Sequence, residues 1–241
     1  MKVYIYNIKN TDITQHFHAV SKERIEKSKR LKFENDRRRS LGVEILLNHA
    51  VREFCERHGI TSEISFPVML QTDQYAKPHI VFSKEEIICF RHKGVFSDTQ
   101  ETLEFSVSHS GDYVALILAD DCDTEVGIDI EEHQEQKKIE EIAKRFFTEE
   151  EYGAIESVNS FYLYWTLKES FLKAIGRGLA YPMNQFSVSF EENQEYAVYH
   201  QTGFSGSFYG RVLPFAQGYS LSVCVKNAKE QLKQIEMKEL F

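Results

Sequence analysis

The tract FYLYWTLKESFLK, Phe161 to Lys173, read together with VGIDIE, Val126 to Glu131, constrains this chain more than any other feature. As a strand, GIDIE sends Asp129 and Glu131 to one face and Ile128 and Ile130 to the other, because strand side chains alternate. Two carboxylates then flank one spot about 7 Å wide at the backbone. As a helix over Ser160 to Ile175, the later tract places Trp165, Glu169 and Lys173 on one stripe, with Leu172 beside them.

Each element has a plain reading and a sharper one. Asp129 and Glu131 suit an exposed strand end; on a buried strand they repel unless a cation sits between them. Hard oxygen ligands with no nearby His or Cys favour Mg²⁺. Glu169 and Lys173 alone make an ordinary surface pair, but Trp165 on the same stripe argues for a covered face, where both charges need partners. Glu169 as a third metal ligand supplies one. Gly176-Arg177-Gly178 is either a helix cap or a place where backbone approaches a ligand closely.

With 241 residues, 42% of them hydrophobic and 18 Phe and 12 Tyr among them, the chain has material for one large domain or two small ones. Its longest clean apolar run, Val114 to Ala119, falls far short of the ~20 residues of a membrane helix, and MKVYIYNIKNTD lacks a signal peptide's apolar stretch. A soluble, cytoplasmic protein without a membrane partner is expected. Cys55, Cys89, Cys122 and Cys224 contain no CxxC pair, so neither a zinc site nor a disulfide framework is suggested. The net charge of -8 argues against a nucleic-acid partner. Residues 22 to 39 are nevertheless basic, either as a solvated helix face or as a clamp for a polyanion.

Patterning runs from strands to helices and back to strands, an α+β order. Lys2 to Ile8 reads as a strand, and a helical stretch follows Ser21 to about His58, broken near Asn35 and stopped by Gly59. Strands are expected at Ile64 to Leu70, Ile80 to Phe82, Leu103 to Ser108, Tyr113 to Ala119 and Glu125 to Glu131, with SHSGD, Ser108 to Asp112, turning a hairpin. Helices at Glu135 to Phe147, Glu149 to Glu156 and Ser160 to Ile175 precede strands at Gln185 to Phe190, Glu195 to His200, Ser205 to Leu213 and Gly218 to Val225. The acidic loop Asp120 to Thr124 divides two halves, 1–122 and 123–241, and a two-lobed arrangement leaves a cleft. His109, set between two serines beside a Gly, suits a structural post or a phosphate contact. Ser-His-Ser has no triad partner, which sets that kind of hydrolase aside.

In order along the chain, the Lys-Pro of YAKPHI, FSVSHSG, VGIDIE, AKRFFTEEEY, WTLKESFLKAIGRGL and PMNQFSV resemble the 4'-phosphopantetheinyl transferase superfamily. The resemblance is to its longer, pseudo-dimeric type, which serves nonribosomal peptide and polyketide synthases. It implies two similar subdomains related by a pseudo-two-fold axis, with the active site in the cleft between them. The N-terminal one carries the CoA nucleotide contacts and the C-terminal one the Mg²⁺ site. It implies Asp129, Glu131 and Glu169 as magnesium ligands, a water completing the side where Ile130 offers no carboxylate, and Lys173 on the CoA pyrophosphate. Lys168 supports the same helix and counts with the CoA contacts. Lys77, Ser108 and His109 are implied at the nucleotide end, His109 meeting the 3'-phosphate, while Arg24, Lys27, Arg39 and Ser40 match phosphate or adenine contacts. Two positions depart from the pattern: Ala76 stands where a Gly usually precedes the Lys-Pro pair, and Arg24 stands where a lysine does.

The implied activity is Mg²⁺-dependent transfer of 4'-phosphopantetheine from coenzyme A to a serine of a peptidyl or acyl carrier domain. It releases adenosine 3',5'-bisphosphate and is carried out by a functional monomer. Glu151, in RFFTEEEY, and Glu131, acting directly or through metal-bound water, are the two candidate bases. Phe146 to Ala154 are expected to hold the carrier by apolar contact. One rival is a Mg²⁺-dependent nucleotide hydrolase, against which the lack of a GxxxxGK[ST] loop weighs. The other is a noncatalytic carrier-binding module, against which the intact Asp129, Glu131, Glu169 and Lys173 weigh.

Overall fold

A computed structural model describes residues 1–9, 12–60, 63–121, 124–134, 138–191 and 195–240; Cys122 and the start of the helix expected from Glu135 lie outside them. The β-forming KVYIYN makes β1 (Lys2–Asn7), buried from Val3 onward. Ser21 accepts the Arg24 N–H and starts α1 (Lys22–Lys29), and the chain resumes as α2 (Glu34–Arg57), so the helix break lies just before Asn35. Short β2 (Met69–Thr72) and β3 (Pro78–Val81) pair as a two-stranded ribbon. The strand expected from Ile64 starts only at Met69, beyond Pro67, which has no N–H to give a ladder.

Patterning does not foresee α3 (Lys84–His92). It opens with a capping box in which Ser83 accepts the Glu86 N–H and Glu86 accepts the Ser83 N–H, and Glu86 also takes the N–H of Ser65. In the next hairpin β4 (Phe105–Ser110) and β5 (Tyr113–Leu118) pair up to Ser110 and Tyr113, leaving only Gly111 and Asp112 as the turn. His109 and Ser110 therefore stand on the ladder rather than in the turn expected of them, beyond Ser108 at the end of the expected strand.

The second half opens with β6 (Val126–Glu132), followed by α4 (Ile139–Phe146), α5 (Glu149–Gly153) and α6 (Val158–Ala174). Then come β7 (Ser187–Phe190), β8 (Ala197–His200), β9 (Phe208–Val212), β10 (Tyr219–Lys226) and α7 (Lys229–Leu232). The strands form an antiparallel sheet in the order β6-β10-β9-β8-β7, with α6 packed across β6 and β10. Thr166, Leu167, Lys168, Ser170, Phe171 and Leu172 are all fully buried. Gly127 makes the close approach of α6 possible, since a Cβ there would lie 1.8 Å from the Ser170 carbonyl oxygen.

The last strand, β11 (Glu236–Leu240), pairs in parallel with β1, Lys2 opposite Glu236 through Tyr6 opposite Leu240, in a sheet ordered β11-β1-β5-β4. One compact unit thus comprises Met1–Asp123 with Glu236–Phe241, and the other Thr124–Ile235. The units divide at the acidic loop, and the C-terminal strand returns to the first unit, whereas the sequence reading keeps residues 123–241 together. Both units mix sheet and helix, in the α+β class expected. No helix among the described residues is long and apolar enough to cross a membrane.

Candidate active site

In the second unit, the alternation of β6 and the turn of α6 bring one set of charges together. Asp129 is 2% exposed, and its Oδ1 accepts from Lys173 Nζ at 2.6 Å. Burial pushes the Glu169 carboxyl up to about 7, helped by the charges of Asp129 and Glu131 and opposed by Lys173. Asp129, Glu131, Glu169 and Lys173 are therefore neighbours on the β6 face that α6 covers. Ser222, paired with Asp129 across the ladder, has its Oγ 2.8 Å from Thr166 Oγ1, which fixes the helix over the same face.

Among the described residues no three His, Cys, Asp or Glu side chains are gathered closely enough to ligate an ion. The chemistry of this donor set nonetheless fits a hard divalent cation. Burial, with the charges of Asp129 and Glu131 adding to it, raises the Glu169 carboxyl to about 7, and a lysine ammonium supplies the positive charge at Asp129.

Glu151 and Lys168 lie elsewhere in the packing. Lys168 is fully buried, and its ammonium donates to both Glu151 oxygens at 2.8 and 2.6 Å and to the Phe186 carbonyl at 2.8 Å. Glu151 is 2% exposed; it also accepts from the Thr148 N–H in the α5 capping box at 2.9 Å and from the Val188 N–H at 2.8 Å. Phe147 and Phe186 rings flank the ammonium. Burial pulls the Lys168 ammonium down, although Glu151 works against it. The expectation of Glu151 as a base and of Lys168 as a CoA contact meets this obstacle: both are committed to one buried ion pair joining α5, α6 and β7, out of reach of solvent.

The first unit holds the other expected contacts. Arg24 and Lys27 line a cavity of about 670 Å³ together with Glu44, Met69, Leu70 and Pro78. Arg24 Nε lies 3.3 Å from Glu44, whose carboxylate also accepts from the Ser21 N–H and hydroxyl. Lys77 Nζ is 3.2 Å from Glu104. Arg39 Nη1 donates to the Gly111 carbonyl at 2.6 Å, which ties α2, with the adjacent half-buried Ser40, to the hairpin carrying buried Ser108 and exposed His109. Ala76 adopts a left-handed φ of 66°, the conformation for which glycine is the usual residue.

His133, Ser220 and Ser222 escaped the sequence reading. The first was accessible by continuing the 129, 131 alternation; the serines required the β6–β10 register.

An α+β chain carrying acidic side chains and a lysine on a largely buried strand–helix pair has the equipment of an enzyme. The model of the 4'-phosphopantetheinyl transferase superfamily matches residues 125–224. The chain is 30% identical over 231 residues to 4'-phosphopantetheinyl transferase Sfp of Bacillus subtilis (strain 168), covering 92% of this chain and 90% of that protein. A second Bacillus subtilis 4'-phosphopantetheinyl transferase is 30% identical over 213 residues, 86% of this chain and 82% of that one. The L-aminoadipate-semialdehyde dehydrogenase-phosphopantetheinyl transferase of Xenopus laevis is 40% identical over 110 residues, 40% and 36% of the two chains. Among solved structures, the holo-[acyl-carrier-protein] synthase of Thermotoga maritima shares 25% identity over 42% of this chain and 62% of that one, with a TM-score of 0.35. The chain belongs to the 4'-phosphopantetheinyl transferases. It is a transferase enzyme.

Proposed function

We propose that this enzyme moves 4'-phosphopantetheine from coenzyme A to a serine of a peptidyl or acyl carrier domain, activating a nonribosomal peptide or polyketide synthase. It does so as a cytoplasmic monomer. The observation that carries the reading is the placing of Asp129, Glu131, Glu169 and Lys173 on one strand–helix face. Asp129, Glu131 and Glu169 would hold Mg²⁺, which supplies charge neutralisation on the pyrophosphate when bound. Lys173 meets a pyrophosphate oxygen and offsets the charge that builds there. Arg24, Lys27, Arg39, Ser40, Lys77, Ser108 and His109 take the nucleotide end, His109 the 3'-phosphate.

Glu131, half-buried at the end of β6, accepts the serine proton. The serine oxygen bonds to the β-phosphorus, the bond from that phosphorus to the bridging oxygen breaks, and adenosine 3',5'-bisphosphate leaves. The intact mass of an apo carrier domain incubated with enzyme, CoA and Mg²⁺ tests this. A gain of about 340 Da, one phosphopantetheine by covalent bookkeeping, that disappears with Asp129→Ala is expected. No gain across several carriers points to a noncatalytic module, and breakdown of CoA without a carrier points to a hydrolase.

A further inference from the structure

The polar stripe on β6 does not stop at Glu131. The strand's period of two leads next to His133, whose ring stacks on Tyr162 of α6 with centroids 4.9 Å apart and planes 8° from parallel. His133 Nε2 lies 2.8 Å from Ser220 Oγ, and Ser220 is the residue paired with Glu131 across the β6–β10 ladder. Side chains so paired stand on one face, roughly 5 Å apart at Cβ. The His133 N–H donates to the Gly218 carbonyl at 2.7 Å, and the Tyr162 hydroxyl accepts from the Gln134 N–H at 3.2 Å. Strand, helix and turn thus hold the imidazole in one orientation, with its polar edge against the serine that neighbours Glu131. None of the roles assigned above uses this ring.

We infer that His133, acting through Ser220, is a positioning residue that fixes the direction in which Glu131 presents its carboxylate to the Asp129–Glu169 site. The inference rests on the metal-site reading of that cluster. Neighbours that orient a ligating carboxylate typically change metal affinity about 10- to 100-fold when removed.

The test is Mn²⁺ titrated into the metal-free full chain, with free ion followed by electron paramagnetic resonance, a readout independent of transfer. The wild-type chain should bind the ion and Asp129→Asn should not. His133→Ala and Ser220→Ala should each raise the Kd about tenfold. The double variant should lose no more than either single one, because the two act as a unit. His133→Gln, which keeps a hydrogen-bonding group near the Nε2 position, should recover most of the affinity. With Mg²⁺ below saturation, kcat should fall while KM for CoA holds. Thermal unfolding of each variant runs alongside, and Ser220→Ala, which removes a single oxygen, keeps the test decisive if His133→Ala fails to fold. A wild-type chain that binds no Mn²⁺ overturns both the metal reading and this inference. Unchanged Kd in the variants, or losses that simply add, overturns the positioning role alone.

Discussion

Removing one partner of the Glu151–Lys168 pair leaves the other charge among the rings of Phe147 and Phe186, at a cost of about 3–5 kcal/mol. Lys168→Met should therefore destabilise by that amount in urea unfolding, and Glu151→Gln with Lys168→Met should regain most of it. Activity makes a separate point. Glu151→Gln should leave the shape of the pH–rate profile unchanged in whatever fraction folds; loss of its acidic limb would return Glu151 to the role of base. Lys173→Ala should lower kcat about a hundredfold at saturating CoA, measured by the rate of carrier mass gain. The cluster around Lys173 was legible because a period of two on β6 and of 3.6 on α6 decides which side chains share a face. The destination of Lys168 was not, because periodicity gives a face but not the partner waiting on it.

At the level of elements, two small residues have opposite prospects. Gly127→Ala would drive a methyl group into the Ser170 carbonyl and push α6 off β6, so a loss of roughly 3 kcal/mol or more and collapse of Mn²⁺ binding are expected. Ala76→Gly should instead stabilise by about 1 kcal/mol in urea unfolding, by relieving a left-handed φ just before Lys77. The family resemblance already marked Ala76 as unusual for its position; the structure supplies the reason. By contrast α3 was missed although its capping box is written in Ser83 and Glu86, since its short apolar pattern, Ile87, Cys89 and Phe90, does not distinguish a helix from a loop.

On the scale of the molecule, Glu53 links the start of the chain to its last strand. Lys2 of β1 and Lys238 of β11 donate to its two oxygens at 2.5 and 2.6 Å. Burial works to raise this carboxyl, but the hydrogen bonds and charges of the two lysines outweigh it and bring it from 4.5 down to about 2. A carboxyl held lower in the folded state stabilises above its unfolded pKa and loses that contribution as pH falls through the folded one. Acid should thus remove stability on the order of 2 kcal/mol between about pH 5 and 2 through this group. Glu53→Gln should show a flatter urea midpoint across the same range. The parallel β1–β11 pairing itself was illegible, because EMKEL alternates weakly and its partner lies at the far end of the chain. That pairing also leaves β1 waiting for its partner during synthesis. A ribosome makes β1 before the second unit and β11 only after it, so the outer hydrogen-bonding edge of β1 lacks this partner in the interval. During translation that edge of the nascent first unit is open to capture by a stray strand or a chaperone.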